Sequence, residues 1–198
     1  MWITWKHEHK DFSWPLSFED KVEIFCERIY GWQLNIADVC SNGGDVGTDN
    51  NYPPVLHSGF AVLSIVLSYF ETIAKYEAGF IKNGRSKHFF RKDVYAVFPN
   101  LHGEEEEPVD GLLEKLYQGA RCGLYHASKT APGIALGQVG QASMAFSPKG
   151  QELIINPHLL PKALKEHLAK YRRRLLNQRN MDLRSKFERR FDVDLFQK

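Results

Sequence analysis

The chain has 198 residues and a mass of 22.8 kDa, of which 43% are hydrophobic, 13% aromatic and 25% charged. That composition excludes disorder over most of the length and suffices for one sizeable core. The net charge of +2 hides a division, because residues 1–160 hold 14 Lys+Arg against 19 Asp+Glu whereas residues 161–198 hold 12 against 5. The longest apolar stretch, Gly59 to Phe70, is far shorter than the roughly twenty residues of a membrane span. The start has no ordered basic, apolar and small-residue zones of a secretory signal. Cys26, Cys40 and Cys122 are odd in number and far apart, which fits neither a disulfide framework nor a thiolate zinc site. We expect one soluble, cytoplasmic domain over residues 1–198, with no membrane association.

In chain order, Ser17-Phe-Glu-Asp20 forms a capping box ahead of Val22, Phe25, Cys26, Ile29, Trp32, Ile36 and Val39 at helical spacing. A run of turn formers from Ser41 to Gly47 ends that helix. Pro53-Pro54 start a second helix with Phe60, Leu63, Val66, Leu67, Phe70, Ile73 and Ala74 on one face, and Asn83-Gly84 stop it. A third helix covers Lys87 to Phe98. Glu104 to Glu107 lie at the mouth of a fourth, Pro108 to His126, where carboxylates favour the positive end of the helix dipole. Ala142–Phe146 and Glu152–Ile155, joined by Ser147-Pro-Lys-Gly150, read as a β-hairpin. Asn156-Pro157 then launch a basic helical segment, 157–198, that is either one helix or two. The fold class expected is all-α, an up-and-down helical bundle with a small β-hairpin insertion near 134–155.

Several clusters are open to more than one reading. The basic segment could meet nucleic acid phosphates, pack on the acidic body, or form a solvated helix face. His7-Glu-His9 could hold a metal on a strand, although an exposed, mobile terminus is the simpler account. Arg85, Lys87, His88, Arg91 and Lys92 surround Phe89 and Phe90, whose rings belong in the core while the cations could line a groove. In Tyr171-Arg-Arg-Arg174, consecutive arginines point three ways around a helix, and Arg172 and Arg173 are candidate phosphate contacts. There is no phosphate-binding glycine loop and no nucleophile elbow.

The fourth helix carries the chemistry. Setting Leu112 at 0° places Leu116, Ala120, Leu113 and Leu124 at about 40°, 80°, 100° and 120°, the core face. Arg121 falls near 180° and His126 near 320°, about 140° apart on an ideal helix, so the two do not easily share one contact within a monomer. Two such helices facing each other across a two-fold axis would bring each pair to one cleft, and the row Gly119, Gly123, Ala127 permits close approach. Unwinding near Gly123 is the other route. A histidine titrating near neutrality can move a proton, and an arginine can clamp phosphoryl oxygens.

The stretch Arg121-Cys-Gly-Leu-Tyr-His126, at the end of a leucine-rich helix and before the small-residue exit Ala-Ser-Lys-Thr, resembles the Arg-x4–6-His motif of the HEPN superfamily. The resemblance covers about residues 112–130. It implies a HEPN-like helical bundle and a metal-independent endoribonuclease that cleaves RNA by 2′-hydroxyl attack, of toxin–antitoxin or phage-defence type. It implies Arg121 and His126 as the catalytic pair and a homodimer through their helix. It also implies RNA as substrate or ligand, a possible antitoxin protein as partner, and neither metal nor cofactor. Tyr125 and Lys129 would support the site. Cys122 stands where active members often carry Asn, Asp or His, so a non-catalytic HEPN-like scaffold that binds RNA, a nucleotide or a protein is the second reading.

Overall fold

The computed structural model describes residues 2–47, 49–82, 84–101, 106–118, 132–138, 140–147 and 151–196. Ser17 Oγ accepts from Asp20 N at 3.1 Å and Asp20 Oδ2 accepts from Ser17 N at 3.0 Å, so the predicted capping box opens α1, Phe18–Ile29. The helix continues through a wide turn, Tyr30–Leu34, into α2, Asn35–Asn42. A two-stranded antiparallel sheet follows, β1 (Gly44–Asp45) with β2 (Asn51–Tyr52).

The longest helix, α3, spans Gly59–Ala78. It begins five residues after Pro54 and ends before the expected stop. Gly79, at φ +58°, closes it in the left-handed conformation, with Gly79 N donating to Tyr76 O at 3.1 Å and Phe80 N to Lys75 O at 2.9 Å. A Cβ at Gly79 would also lie 3.0 Å from the Lys186 backbone, so both conformation and packing require glycine there. Phe60, expected in the core, is exposed, whereas Leu63, Val66, Leu67, Phe70, Ile73 and Ala74 are buried as their spacing predicts.

α4 spans Ser86–Val97 and α5 Glu106–Gln118. They run antiparallel, tied by Arg91 to Asp110 at 2.6 Å, Tyr95 Oη to Asp110 Oδ1 at 2.8 Å, and an ion pair between Lys87 and Glu114. Phe89 and Phe90 are buried as expected. The hairpin forms from β4 (Met144–Phe146) and β5 (Leu153–Ile155), but a further strand, β3 (Ile134–Leu136), pairs parallel to β5, giving the order β3-β5-β4. The description as all-α therefore needs correction. The chain is mostly helical, with two small sheets among the described residues.

Two helices complete the chain, α6 (Leu160–Leu176) and α7 (Met181–Phe196). The break lies at 177–180, where Asn180 Nδ2 donates to Arg174 O at 2.8 Å. α6 starts three residues later than Pro157 would place it. Asn156 instead holds a turn, accepting from His158 N at 3.0 Å, and Pro161 supplies the early proline.

The core joins α1, α3, α6 and α7 through aromatic rings. Phe25 lies 4.2 Å from Tyr76 and 5.3 Å from Phe187 between centroids, and Tyr171 and Phe191 complete the group. A second junction, Phe70–Phe90–Tyr117, carries the packing outward through α4 to α5. The amino-terminal arm is not a free end. Ile3 and Thr4 are buried, Arg28 Nε donates to Ile3 O at 2.7 Å, and the Trp5 ring packs where a Cβ at Gly31 or Gly47 would be 2.0 Å away.

Candidate functional site

Leu112, Leu113 and Leu116 of α5 are buried, as the wheel requires, and the Phe90–Tyr117 contact at 5.4 Å steadies the helix near its last turn. Of the four glutamates, Glu106 and Glu107 occupy the first turn of α5, in keeping with the dipole argument. Arg121, Cys122, Tyr125, His126 and Lys129 all fall in 119–131, outside the described residues, as do Glu104 and Glu105. On either side the chain is placed. α5 leads into that segment, and Gly133, at φ +88°, follows it beside Leu112, where a Cβ would sit 2.8 Å from Leu112 Cδ2.

The basic segment resolves into two populations of cations. One is committed internally. Arg174 pairs with Glu77 at 2.6 Å, and Lys165 reaches Asp38 at 2.5 Å and Asn35 at 3.1 Å. Arg184 donates to Leu175 O at 2.8 Å while lying 3.7 Å from the centre of the Phe18 ring. Arg190 meets Phe80 O at 2.7 Å and Asp194 at 2.6 Å. From outside the segment, Lys21 of α1 pairs with its Glu188 and Asp192 at 2.6 and 2.9 Å. The other population faces water. Lys162, Lys170, Arg172, Arg173 and Arg179 are exposed and have no ion pair among the described residues. Of the three consecutive arginines, Arg174 turns to its own protein, whereas Arg172 and Arg173 point outward. Packing on the acidic body and a solvated cationic face are thus both realised.

Compared with protein-family models, curated proteins and solved structures, the chain matches none of them.

A cleft of about 490 Å³ opens at the start of α6, lined by Gln138, Gln141, Ser143, Asn156, His158, Lys162 and Glu166. His158 is fixed from behind, its Nδ1 lying 3.0 Å from Ser41 O and 3.1 Å from Ser41 Oγ. Amide, hydroxyl and ammonium donors line this space, and Lys162 joins it to the outward row of α6. The cleft was not foreseen, since its residues come from two separate stretches, 138–143 and 156–166, and only the glutamine pair 138 and 141 hints at a polar lining.

A second group of polar side chains lies inside the protein. The Tyr69 hydroxyl and His167 Nδ1 are 2.8 Å apart, and burial pushes the Tyr69 hydroxyl up and the His167 imidazole down from their ordinary values. Asp93 is buried, neither carboxyl oxygen has a hydrogen-bond partner among the described residues, and desolvation with nearby Glu77 drives its carboxyl well above the usual range. Burial pushes the Cys26 thiol up to about 12, which removes it as a nucleophile. At the amino terminus, His7 pairs with Glu23 at 3.4 Å and His9 stacks on Trp14 at 4.3 Å. Among the described residues no three His, Cys, Asp or Glu side chains gather to hold a metal ion. No helix among them is long and apolar enough to cross a membrane.

Proposed function

We propose that this chain is an RNA-directed protein with a HEPN-like helical body, in which Arg121 and His126 form an endoribonuclease site. The observation that carries the reading is the run Arg121-Cys-Gly-Leu-Tyr-His126, which begins three residues beyond the last residue of α5, a helix whose leucines are buried. The unpaired Arg172 and Arg173 on α6 support it as phosphate contacts. In the reaction the RNA 2′-oxygen bonds to the adjacent phosphorus and the bond to the 5′-oxygen breaks, leaving a 2′,3′-cyclic phosphate and a 5′-hydroxyl. The 2′-hydroxyl gives up a proton and the departing 5′-oxygen gains one. His126 handles one of these transfers, Arg121 stabilises the charge that grows on the phosphoryl oxygens, and Tyr125 and Lys129 support the pair. Two copies contribute one pair each, and the setting is toxin–antitoxin or phage defence in the cytoplasm.

Purified protein should cut RNA in EDTA, and His126→Ala should slow cleavage by about 10²–10⁴-fold, with Arg121→Ala similarly impaired. Equal cleavage by both variants rejects the site. Cys122 favours a second reading, a non-catalytic scaffold that holds RNA through its cations. It predicts saturable binding that weakens with salt and yields no cleavage products. Growth arrest on expression, relieved by His126→Ala, would separate the toxin setting from simple binding.

A further inference from the structure

The first turn of α6 keeps one backbone donor unspent. Leu160 N donates to Asn156 O at 3.0 Å, Ala163 N donates to Leu159 O at 3.1 Å, and Pro161 has no N–H. The Lys162 N–H has no partner among the described residues, and no side chain caps the helix from Leu159. This end of α6, where the helix dipole is positive, forms one wall of the cleft of about 490 Å³. A second donor stands beside it. Asn156 is buried, at 4% exposure, and its Oδ1 accepts from His158 N at 3.0 Å, which identifies the other amide atom as Nδ2. Nδ2 donates to nothing among the described residues, yet it is not sealed from water, because Asn156 lines the cleft. Its backbone is fixed on both sides, N donating to Ser143 O at 2.9 Å and O receiving the Leu160 N–H. A buried amide N–H held in place and left unfilled, next to an unfilled helix N–H, suits an anionic oxygen.

Charge narrows the ligand. Lys162 and Glu166 both line the cleft, four residues apart on one face of α6 and so about 6 Å apart along its axis. Both are exposed, and neither has an ion pair among the described residues. Lysine precedes glutamate, the weaker order for a pair within one helix. With histidine counted as neutral, the lining has no net formal charge, but the charge is divided. The Lys162 ammonium, the Lys162 N–H and Asn156 Nδ2 make a positive end, and Glu166 makes a negative one. A phosphate dianion would gain at the first end and be repelled at the second. A peptide terminus carries one of the two charges and leaves the other end unmet. A carboxylate and an ammonium on the same carbon meet both. On the other wall, from the link between β3 and β4, Gln138 and Gln141 offer amide donors and acceptors alike, which suit a polar, uncharged side chain.

We propose that the cleft at the start of α6 binds a free α-amino acid, its carboxylate on the Lys162 N–H, the Lys162 ammonium and Asn156 Nδ2, and its ammonium on Glu166. The proposal does not depend on RNA cleavage. Isothermal titration calorimetry of the full chain with the common L-amino acids tests it, against propionate and ethylammonium, which carry one charge each, and adenosine monophosphate. L-Glutamine should saturate the protein with a Kd of about 1 mM or below. Propionate and ethylammonium should each bind about tenfold more weakly or worse, since each forgoes a charge-assisted contact. Lys162→Gln and Glu166→Gln, both at exposed positions, should each weaken L-glutamine by about fivefold or more. Asn156→Asp, which keeps an acceptor for His158 N, should do the same, and circular dichroism checks that all three variants are folded. Failure of every amino acid to saturate by about 10 mM overturns the proposal, as does unchanged affinity in folded Lys162→Gln and Glu166→Gln. Propionate binding as tightly as L-glutamine overturns it in favour of a simple anion site, and tighter binding of adenosine monophosphate overturns it in favour of a nucleotide.

Discussion

α3 and α6 bury equivalent rows, Val62, Val66, Phe70 and Ile73 in one and Leu160, Leu164, Leu168, Tyr171 and Leu175 in the other, and both rows meet the same core. Their outer sides have nothing in common. α6 presents Lys162, Lys170, Arg172 and Arg173, whereas α3 presents Phe60, Ala61, Ile65 and Ser68 and no ion before Glu71. The inward rows fix where the helices lie, and the outward rows set the chemistry that each face offers to its surroundings. Salt separates the two surfaces, since screening and counterion competition weaken contacts of the cationic side with a polyanion and leave apolar association intact or stronger.

The comparison can be broken at its shared base. Phe187 touches Phe25, Tyr76 and Phe191 and is fully buried. Phe187→Ala should cost about 3–5 kcal/mol in urea unfolding and degrade both surfaces together. It can be sharpened on the cationic side alone. Arg172→Glu with Arg173→Glu should weaken RNA binding tenfold or more and reduce the salt slope by about two, with unfolding unchanged. Gly79→Ala, at the end of α3, meets a left-handed φ and the Lys186 backbone, so we expect a loss of about 1–2 kcal/mol in unfolding without a change in RNA affinity.

The smallest effect is in pH. The folded Asp93 carboxyl is raised, so the stability it contributes is complete below the unfolded value of about 3.9 and is lost as pH climbs above it. The folded His167 imidazole is lowered, so its contribution is complete above about 6.5 and is lost as pH falls below that value. Asp93→Asn should flatten the decline on the alkaline side and leave the His167 limb in place, as read from unfolding midpoints across pH.

Much of this was legible from periodicity. The capping box at Ser17, the faces of α1 and α5, the hairpin and the burial of Phe89 and Phe90 follow from local spacing and turn chemistry. What escaped depends on distance along the chain. β3 joins β5 across sixteen intervening residues and has only three residues of its own, too few for an alternation to register. The second helix was stretched at both ends because Pro53-Pro54 and Asn83-Gly84 are strong punctuators, whereas Gly79 is a lone glycine whose role comes from α7. The arm at residues 2–12 looked unattached because its fasteners, Gly31, Gly47 and Glu27, lie elsewhere. The run from Arg121 to His126 is a reading of sequence alone and lies outside the described residues, whereas the cleft beside His158 exists only once the β3–β4 link and α6 converge.

The clasp formed by Trp5 has an optical consequence. Its indole N–H donates to the Glu27 carboxylate, Lys6 Nζ stands 4.7 Å over its ring, and two glycines flank it, while Trp2, Trp14 and Trp32 are exposed. The short-wavelength edge of the protein's intrinsic fluorescence should therefore come from this one chromophore. A red shift at that edge would signal the arm lifting from the Gly31 turn while the helices behind it remain folded.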